Sequence, residues 1–385
     1  MGTVSLPLLH WSEGFTIDVV IRVVNRLVFN AQQIRTVLLV YAVTRATQAS
    51  KPGLSFWQAC VGGFKLLPTL ARSDLFFQAT LGLLAFTLVL KGNKLLDRAA
   101  RNNFTRDLKG WHWSASDNRR EIVLITGGAG GLGSNVARRL AGRGIQVVVL
   151  DRAPLEADAP KSIAYFKVDL TDADAVRAVA EKVRSEVGHP TVLVNMAAVV
   201  QASSIVDMAK RDIDLAYDIN VKAQYYTVQA FLPHMLEDGH GHVVTIASST
   251  AYHQASTGVA YCSSKAAVLS FHEGLTEELR HLYQPHAKAR AVRTSVVCPA
   301  HFKSGMFAGF VSTIPHWLAP SLEVDTVAHL VEETILSGES QHIIEPYYAS
   351  FTPLGRALPT WIYGGILACA KDAMGHVQTH RGKAE

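Results

Sequence analysis

Apolar positions in the first hundred residues repeat at helical spacing. In the stretch 15–30, Asp18, Arg22, Asn25 and Arg26 recur at i, i+4, i+7 and i+8, while Ile17, Val20, Ile21, Val24, Leu27 and Val28 lie between them; the pattern predicts an amphipathic helix. The run from Leu75 to Leu90 carries no charge, yet it is shorter than the roughly 20 apolar residues that cross a bilayer comfortably. No polar-poor domain lies nearby to receive the apolar face of the first helix, so the two segments together predict a membrane-associated helical region over residues 1–110. From Glu121 the period changes. EIVLIT, QVVVL, IAYFKV, TVLVN, HVVTIA, TSVVC and QHIIE are short β-rich runs, most of them separated by amphipathic stretches. That alternation predicts an α/β fold, a doubly wound parallel sheet with helices on both faces, over residues 111–347. Trp111, Trp113 and the polar stretch 114–120 read as the linker into it. Beyond it, Leu354, Leu358, Trp361, Ile362, Ile366 and Cys369 fall on one helical stripe, predicting an amphipathic C-terminal segment over 348–385.

Composition narrows the function classes. Hydrophobic residues make up 49% of the 385-residue chain and charged ones only 18%, below the roughly 25% usual in globular domains, which excludes a disordered chain. A net charge of +5 is too mild for a nucleic-acid reader but compatible with an anionic membrane leaflet. Lys91, Lys94, Arg98, Arg101, Arg106 and Lys109 follow the Leu75 to Leu90 run, against Lys65 and Arg72 before it. This excess of positive charge puts the downstream domain in the cytosol. Cys60, Cys262, Cys298 and Cys369 are widely spaced without a CxxC, as in a reducing compartment, and offer no cysteine zinc site. His272 and Glu273 open HEGLT, which lacks the second histidine of a zinc-binding helix, so no metal is expected.

The chemistry concentrates after the first strand. There the chain reads ITGGAGGLG, with Thr126, Gly127, Gly131, Leu132 and Gly133 leading into a helix. Such a turn brings backbone N–H groups and a helix N-terminus close to a pyrophosphate. The second strand ends at Asp151, where a carboxylate accepts hydrogen bonds from an adenosine ribose and repels a 2′-phosphate; Arg152 beside it pulls toward the phosphate. Further along stand Ser248 at a strand end and the tetrad of Tyr261 and Lys265, which share one helical face. A phenol with a pKa of about 10 works as an acid/base near neutrality only beside a cation.

TGxxxGxG, then Ser248, then YxxxK, in this order, is similar to the short-chain dehydrogenase/reductase superfamily over Glu121 to about Glu345. The runs GHVVTIASS, AYCSSKAAVLSFHEGLTEEL and CPAHFKSG most resemble its membrane-associated retinol and hydroxysteroid dehydrogenases. The resemblance implies a catalytic set of Asn220, Ser248, Tyr261 and Lys265. It also implies cofactor contacts from Thr126, Gly127, Gly131, Leu132, Gly133, Asp151, Asp169, Asn195, Tyr261, Lys265, Pro299 and Ser304. Asn220 would hold a proton-carrying water, and Lys265 the nicotinamide ribose. Asp169 would stand beside the adenine, although as a bare residue it equally caps a helix with Thr171 and Asp172. Where the family has NNAG after the fourth strand, this chain has Asn195, Met196, Ala197 and Ala198, a departure that bears on the loop's geometry.

The resulting expectation is an NAD(P)-dependent enzyme interconverting an alcohol and its carbonyl on a hydrophobic, retinoid-, steroid- or lipid-like substrate, with NAD preferred over NADP. The apolar loop 307–322 would cover that substrate. The expected partners are the small alcohol or its ketone or aldehyde, a membrane, and no nucleic acid; a homodimer is allowed. The membrane implied is the endoplasmic reticulum or a lipid droplet, with the catalytic domain facing the cytosol. The alternative is a catalytically idle nucleotide-binding membrane scaffold, and a cofactor-dependent isomerase or dehydratase fits the same fold. An idle module would be expected to have lost part of the four-residue set, and all four are present.

Overall fold

The computed structural model describes residues 16–48, 55–105, 110–113, 121–283, 288–312, 314–369, 373–375 and 377. The chain divides into two compact units, one of Val19–Ala100 and one of Met1–Asp18 with Arg101–Glu385.

The smaller unit is helical: α1 (Ile17–Val28, beginning in the other unit), α2 (Ala31–Gln48), α3 (Phe56–Ser73) and α4 (Leu75–Arg101, ending there). Ile34, Leu38 and Ala42 of α2 pack on Leu70 of α3 and Phe77 of α4. Close approach of α2 and α3 requires glycine, since a Cβ at Gly63 would stand 3.0 Å from the Val43 nitrogen. Asp74 ends α3 and starts α4, accepting from Phe77 N at 3.0 Å and from the Tyr41 hydroxyl at 2.8 Å. The α4 helix exceeds the uncharged run that predicted it: its 27 residues extend about 40 Å, beyond the roughly 30 Å of bilayer hydrocarbon. Phe76, Phe86, Leu88 and Val89 are exposed along it. By length and composition α4 is able to cross a membrane. The first helix forms as expected with one correction: Asp18, assigned to its solvated face, is buried and accepts from Tyr348 N at 2.9 Å.

All seven expected strands form. They are β1 (Ile122–Thr126), β2 (Gln146–Asp151), β3 (Ile163–Lys167), β4 (Val192–Asn195), β5 (His242–Ile246), β6 (Arg293–Pro299) and, after the two-residue pair β7 (Phe302–Lys303) and β8 (Leu322–Glu323), β9 (His342–Glu345). The sheet order is β3-β2-β1-β4-β5-β6-β9, every pairing parallel. The β1 and β5 strands are buried along their whole length, which is why they read as continuous apolar runs. Between them run α5 (Gly131–Gly142), α6 (Ala173–Glu186), α7 (Lys210–Tyr217), α8 (Ala223–Asp238), α9 (Val259–His281) and α10 (Val324–Ser337). Val136 and Leu140 of α5 with Val331 and Ile335 of α10 fill one side of the sheet. Val176 of α6, Phe231 of α8 and Leu275 of α9 fill the other. Strand order reverses beside β1, and in open parallel sheets ligands bind in the crevice at the carboxyl ends of the strands where this happens.

Two connections differ from their sequence reading. Trp111 and Trp113, expected in a linker, stack on each other at 5.4 Å and pack against the core; the polar stretch 114–120 lies outside the described residues. The C-terminal stripe is not one helix: α11 (Thr352–Gly355) and α12 (Thr360–Ala368) are separated around Pro359, whose ring cannot continue a helix. The sequence TWIYGGILA of α12 is apolar on all sides rather than amphipathic.

Candidate active site

The glycine turn is built by steric necessity. Gly127 has φ +70°, and a Cβ there would lie 2.7 Å from the Ala197 Cα; a Cβ at Gly133 would lie 2.1 Å from the Gly127 carbonyl oxygen. The bare Cα of Gly127 thus gives room to Ala197, the neighbour of the Ala198 that stands where the family has glycine. Gly130 begins α5 without any side-chain cap, so the first N–H groups of the helix are left for a ligand. Asp151 closes the turn, its carboxylate accepting from Ala129 N and Ala153 N, both at 3.0 Å. Asp169 accepts from Thr171 N at 2.9 Å and its hydroxyl at 2.7 Å, while Asp172 caps α6. Both Asp151 and Asp169, with Arg152, line a cavity of about 570 Å³ that runs from Gly127 and Gly131 to Ser248, Tyr261, Lys265, Pro299 and Ser304.

Tyr261 and Lys265 occupy successive turns of α9, with the ammonium 5.8 Å from the ring centroid. Burial pushes the Tyr261 hydroxyl well above the ordinary phenol range, and an interaction with Ser248 works the other way. Burial pushes Lys265 down to about 8; its Nζ donates to the Ile246 carbonyl at 2.9 Å. Ser248 follows β5, donates to the Pro299 carbonyl at 3.4 Å and accepts from Thr250 N at 3.2 Å. One wall of the crevice thus carries a hydroxyl, a phenol and a cation in the order needed to hold and protonate an oxygen.

Three sequence-predicted residues stand behind the cavity wall. Thr126 Oγ1 accepts from Met196 N at 3.0 Å and Ala197 N at 3.2 Å, tying β1 to the loop after β4. Asn195 is buried with Oδ1 accepting from Thr227 at 2.8 Å, and its amide nitrogen has no partner among the described residues. Asn220 sits in a π-helical turn, Asp218–Lys222. Its side chain is clamped: Oδ1 accepts from Val199 N at 2.8 Å, and Nδ2 donates to Val199 O at 3.0 Å and Ser264 Oγ at 2.9 Å. Holding water would fall to its backbone carbonyl, which accepts from Gln224 at 2.9 Å.

Sequence reasoning missed a second cavity, of about 490 Å³, which shares Ala300, His301, Phe310 and Met374 with the first. Its far wall is Phe351, Leu354, Leu358, Tyr363 and Ile366, residues of the broken C-terminal segment. The apolarity of the loop 307–322 was the one signal for it.

A crevice of this kind at the switch point of a doubly wound parallel sheet, with an uncapped glycine turn on one side and a buried tyrosine and lysine on the other, defines a dinucleotide-dependent oxidoreductase. A family model described as short chain dehydrogenase matches residues 121–314. The chain belongs to that family, and is an NAD(P)-dependent oxidoreductase acting on CH–OH groups. Human estradiol 17-beta-dehydrogenase 11 is 34% identical over 247 residues, covering 62% of this chain and 79% of the relative. Human epidermal retinol dehydrogenase 2 is 33% identical over 264 residues, covering 64% and 83%. Dehydrogenase RED2 of Cochliobolus heterostrophus is 39% identical over 204 residues, covering 52% and 73%. The fold matches a crystal structure of a short-chain dehydrogenase from Streptomyces avermitilis with a TM-score of 0.53 at 20% identity, covering 66% of this chain and 96% of that one.

Proposed function

We propose that this protein is a membrane-held dehydrogenase that interconverts a hydrophobic alcohol and its ketone or aldehyde, prefers NAD(H), and carries its catalytic unit on the cytosolic side. The observation that carries the substrate class is the second cavity, whose apolar wall adjoins the Tyr261 crevice. Relatives named for estradiol and retinol dehydrogenation support the same class. The residues fit the cofactor: Gly130 and Gly131, where a Cβ would enter open space, free N–H groups at α5 and the carboxylate of Asp151 in the same cavity. When bound, the dinucleotide supplies the hydride acceptor or donor.

The chain's own residues do the rest. Gly127, Gly131, Leu132 and Gly133 hold the pyrophosphate, with Thr126 and Asn195 fixing the turn and the loop from behind. Asp151 accepts from the adenosine ribose, and Asp169 shapes the adenine end. Pro299 and Ser304, whose buried hydroxyl has no partner among the described residues, hold the nicotinamide end. Ser248 donates a hydrogen bond to the substrate oxygen. Tyr261 takes the hydroxyl proton in oxidation and returns it in reduction, and Lys265 stabilises the phenolate while binding the nicotinamide ribose. Asn220 keeps the loop at Val199 in place and offers its carbonyl to the proton path. The endoplasmic reticulum or a lipid droplet is the membrane that suits such a substrate, and α4 the segment that reaches it.

The test is nicotinamide-coupled turnover by detergent-extracted protein on retinoids, steroids and long-chain alcohols with both cofactors. Tyr261→Phe is expected to lower kcat by about a thousandfold or more while cofactor affinity changes little. A variant retaining most of its activity would remove Tyr261 from the chemistry.

A further inference from the structure

His301 sits where the two cavities meet and lines both. Its orientation is fixed on three sides. Nδ1 lies 2.8 Å from Ser321 Oγ, the ring stacks on Phe310 with centroids 3.7 Å apart, and Phe307 meets it edge-on at 5.5 Å. Burial, with a smaller effect from Lys303, pushes its pKa down to about 4, so the ring is neutral at physiological pH. Among the described residues Nε2 has no hydrogen-bond partner, and it is not sealed from solvent; with the other edge held by Ser321, it is the polar atom this ring presents to the cavities. Phe307 also meets Tyr261, at 5.9 Å. The phenol and the imidazole thus both touch Phe307, and both line the first cavity.

A polar edge in an otherwise apolar wall has a chemical consequence. A purely hydrocarbon substrate would displace water from Nε2 and leave it unpaired, which disfavours binding. A substrate with an oxygen at that point satisfies it. Ser321 makes the arrangement indifferent to the kind of oxygen: its hydroxyl either donates to Nδ1, leaving Nε2–H to donate to a carbonyl, or accepts from Nδ1–H, leaving Nε2 to accept from a hydroxyl.

We propose that His301 is a specificity determinant of this site, hydrogen-bonding through Nε2 to a second oxygen of the substrate, so that the preferred substrate is a hydrophobic alcohol or ketone bearing a further hydroxyl or keto group a few carbons from the reacting carbon. This rests on the reading of the site as an alcohol and carbonyl dehydrogenase and adds to it which member of that class the site selects.

The experiment compares matched pairs with the detergent-extracted full chain. Each pair is a long-chain secondary alcohol and the same chain with a second hydroxyl, the separation varied from two to seven carbons. The protein is expected to favour the diol at one or two of these separations by about tenfold or more in kcat/KM. His301→Phe, which keeps the aromatic body, is expected to bring that ratio to one or below, while His301→Gln, which keeps a donor and an acceptor, retains most of it. The change should appear in KM for the diol more than in kcat, and not in KM for the cofactor. Equal turnover of both members at every separation by the unmodified chain overturns the proposal, as does an equal fall on both members in His301→Phe. A rise in cofactor KM in that variant also overturns it, since His301 would then belong to the nicotinamide site. Absence of turnover on every pair and on the wider alcohol panel refutes the dehydrogenase reading itself, and the proposal with it.

Discussion

At the scale of single residues, Lys265 shows how far the site departs from what favours folding. Its side chain is almost fully buried, and its pKa is pushed down to about 8 by desolvation, against about 10.4 in an unfolded chain. Between these two values the unfolded chain binds more protons than the folded one, so stability rises with pH across that window; below pH 8 the whole penalty is present. Lys265→Met should therefore melt a few degrees higher than the parent at pH 7, with the advantage fading toward pH 10, while losing turnover. The gain is on the order of 1–3 kcal/mol, reduced by the unpaired Ile246 carbonyl. Thermal melts of both proteins across pH 6 to 10 test this, and a lower melting temperature for the variant at pH 7 would sink it. Asp151 makes a separate prediction. Its carboxylate faces the cavity with both oxygens already oriented by Ala129 N and Ala153 N, so a 2′-phosphate would meet a fixed negative charge. NAD(H) should be favoured by about tenfold or more in kcat/KM. Asp151→Ser should narrow or reverse the preference through the neighbouring Arg152, and a parent enzyme that favours NADP(H) would contradict the assignment.

At the scale of elements, what could be read from the chain depended on whether an element's partner was local. The seven strands were legible because a parallel strand buried on both faces must be apolar along its length, as IVLIT and HVVTI are. The tetrad of Tyr261 and Lys265 was legible because helical spacing alone sets their shared face. The role of Asn220 was not. The π-helical turn that carries it has no periodic trace in the sequence, and its clamp comes from residues distant in the chain, Val199 and Ser264. Helices α2 and α3 escaped notice because α2 has no clean apolar stripe, and Gly62, Gly63 and Pro68 interrupt the helical signal of α3. The C-terminal stripe misled for a related reason. Leu354 to Cys369 do fall on helical spacing, but Pro359 divides them, and Leu354, Leu358 and Ile366 line the second cavity instead of belonging to one continuous helix.

At the scale of the whole molecule, the question is where the catalytic unit begins, and buried contacts answer it. The catalytic unit takes up the chain again at Arg101, not at the end of the region 1–110 read from the sequence. Asn102 accepts from Arg293 through its carbonyl at 2.9 Å and from Ser340 N through its side chain at 2.9 Å; the Thr105 carbonyl accepts from Arg293 at 3.0 Å. Asn103 is held in the same way, donating to the Arg290 carbonyl at 3.1 Å and accepting from Arg280 at 2.6 Å. The sequon Asn103, Phe104, Thr105 is thus part of the folded unit, its asparagine side chain engaged by Arg280 and Arg290. Two truncations separate anchoring from folding. A chain starting at Arg101 should leave the membrane fraction in large part, with α12 and its exposed Trp361 and Ile366 retaining some of it, and should remain active although it melts lower for want of the Asp18 contact to Tyr348 N. A chain starting at Gly110 also loses the Asn102 and Thr105 carbonyls that accept from Arg293, a residue only 3% exposed. It should be destabilised by a few kcal/mol, which lowers the melting temperature by roughly 5–10 °C in a unit of this size. Equal melting temperatures would show that residues 101–105 do not hold the fold. On the proposed orientation, with the basic residues after the apolar run on the cytosolic side, protease should digest the catalytic unit of the full-length chain in sealed microsomes. Protection of that unit would invert the orientation, and release of the full-length protein by salt alone would show that α4 is not embedded.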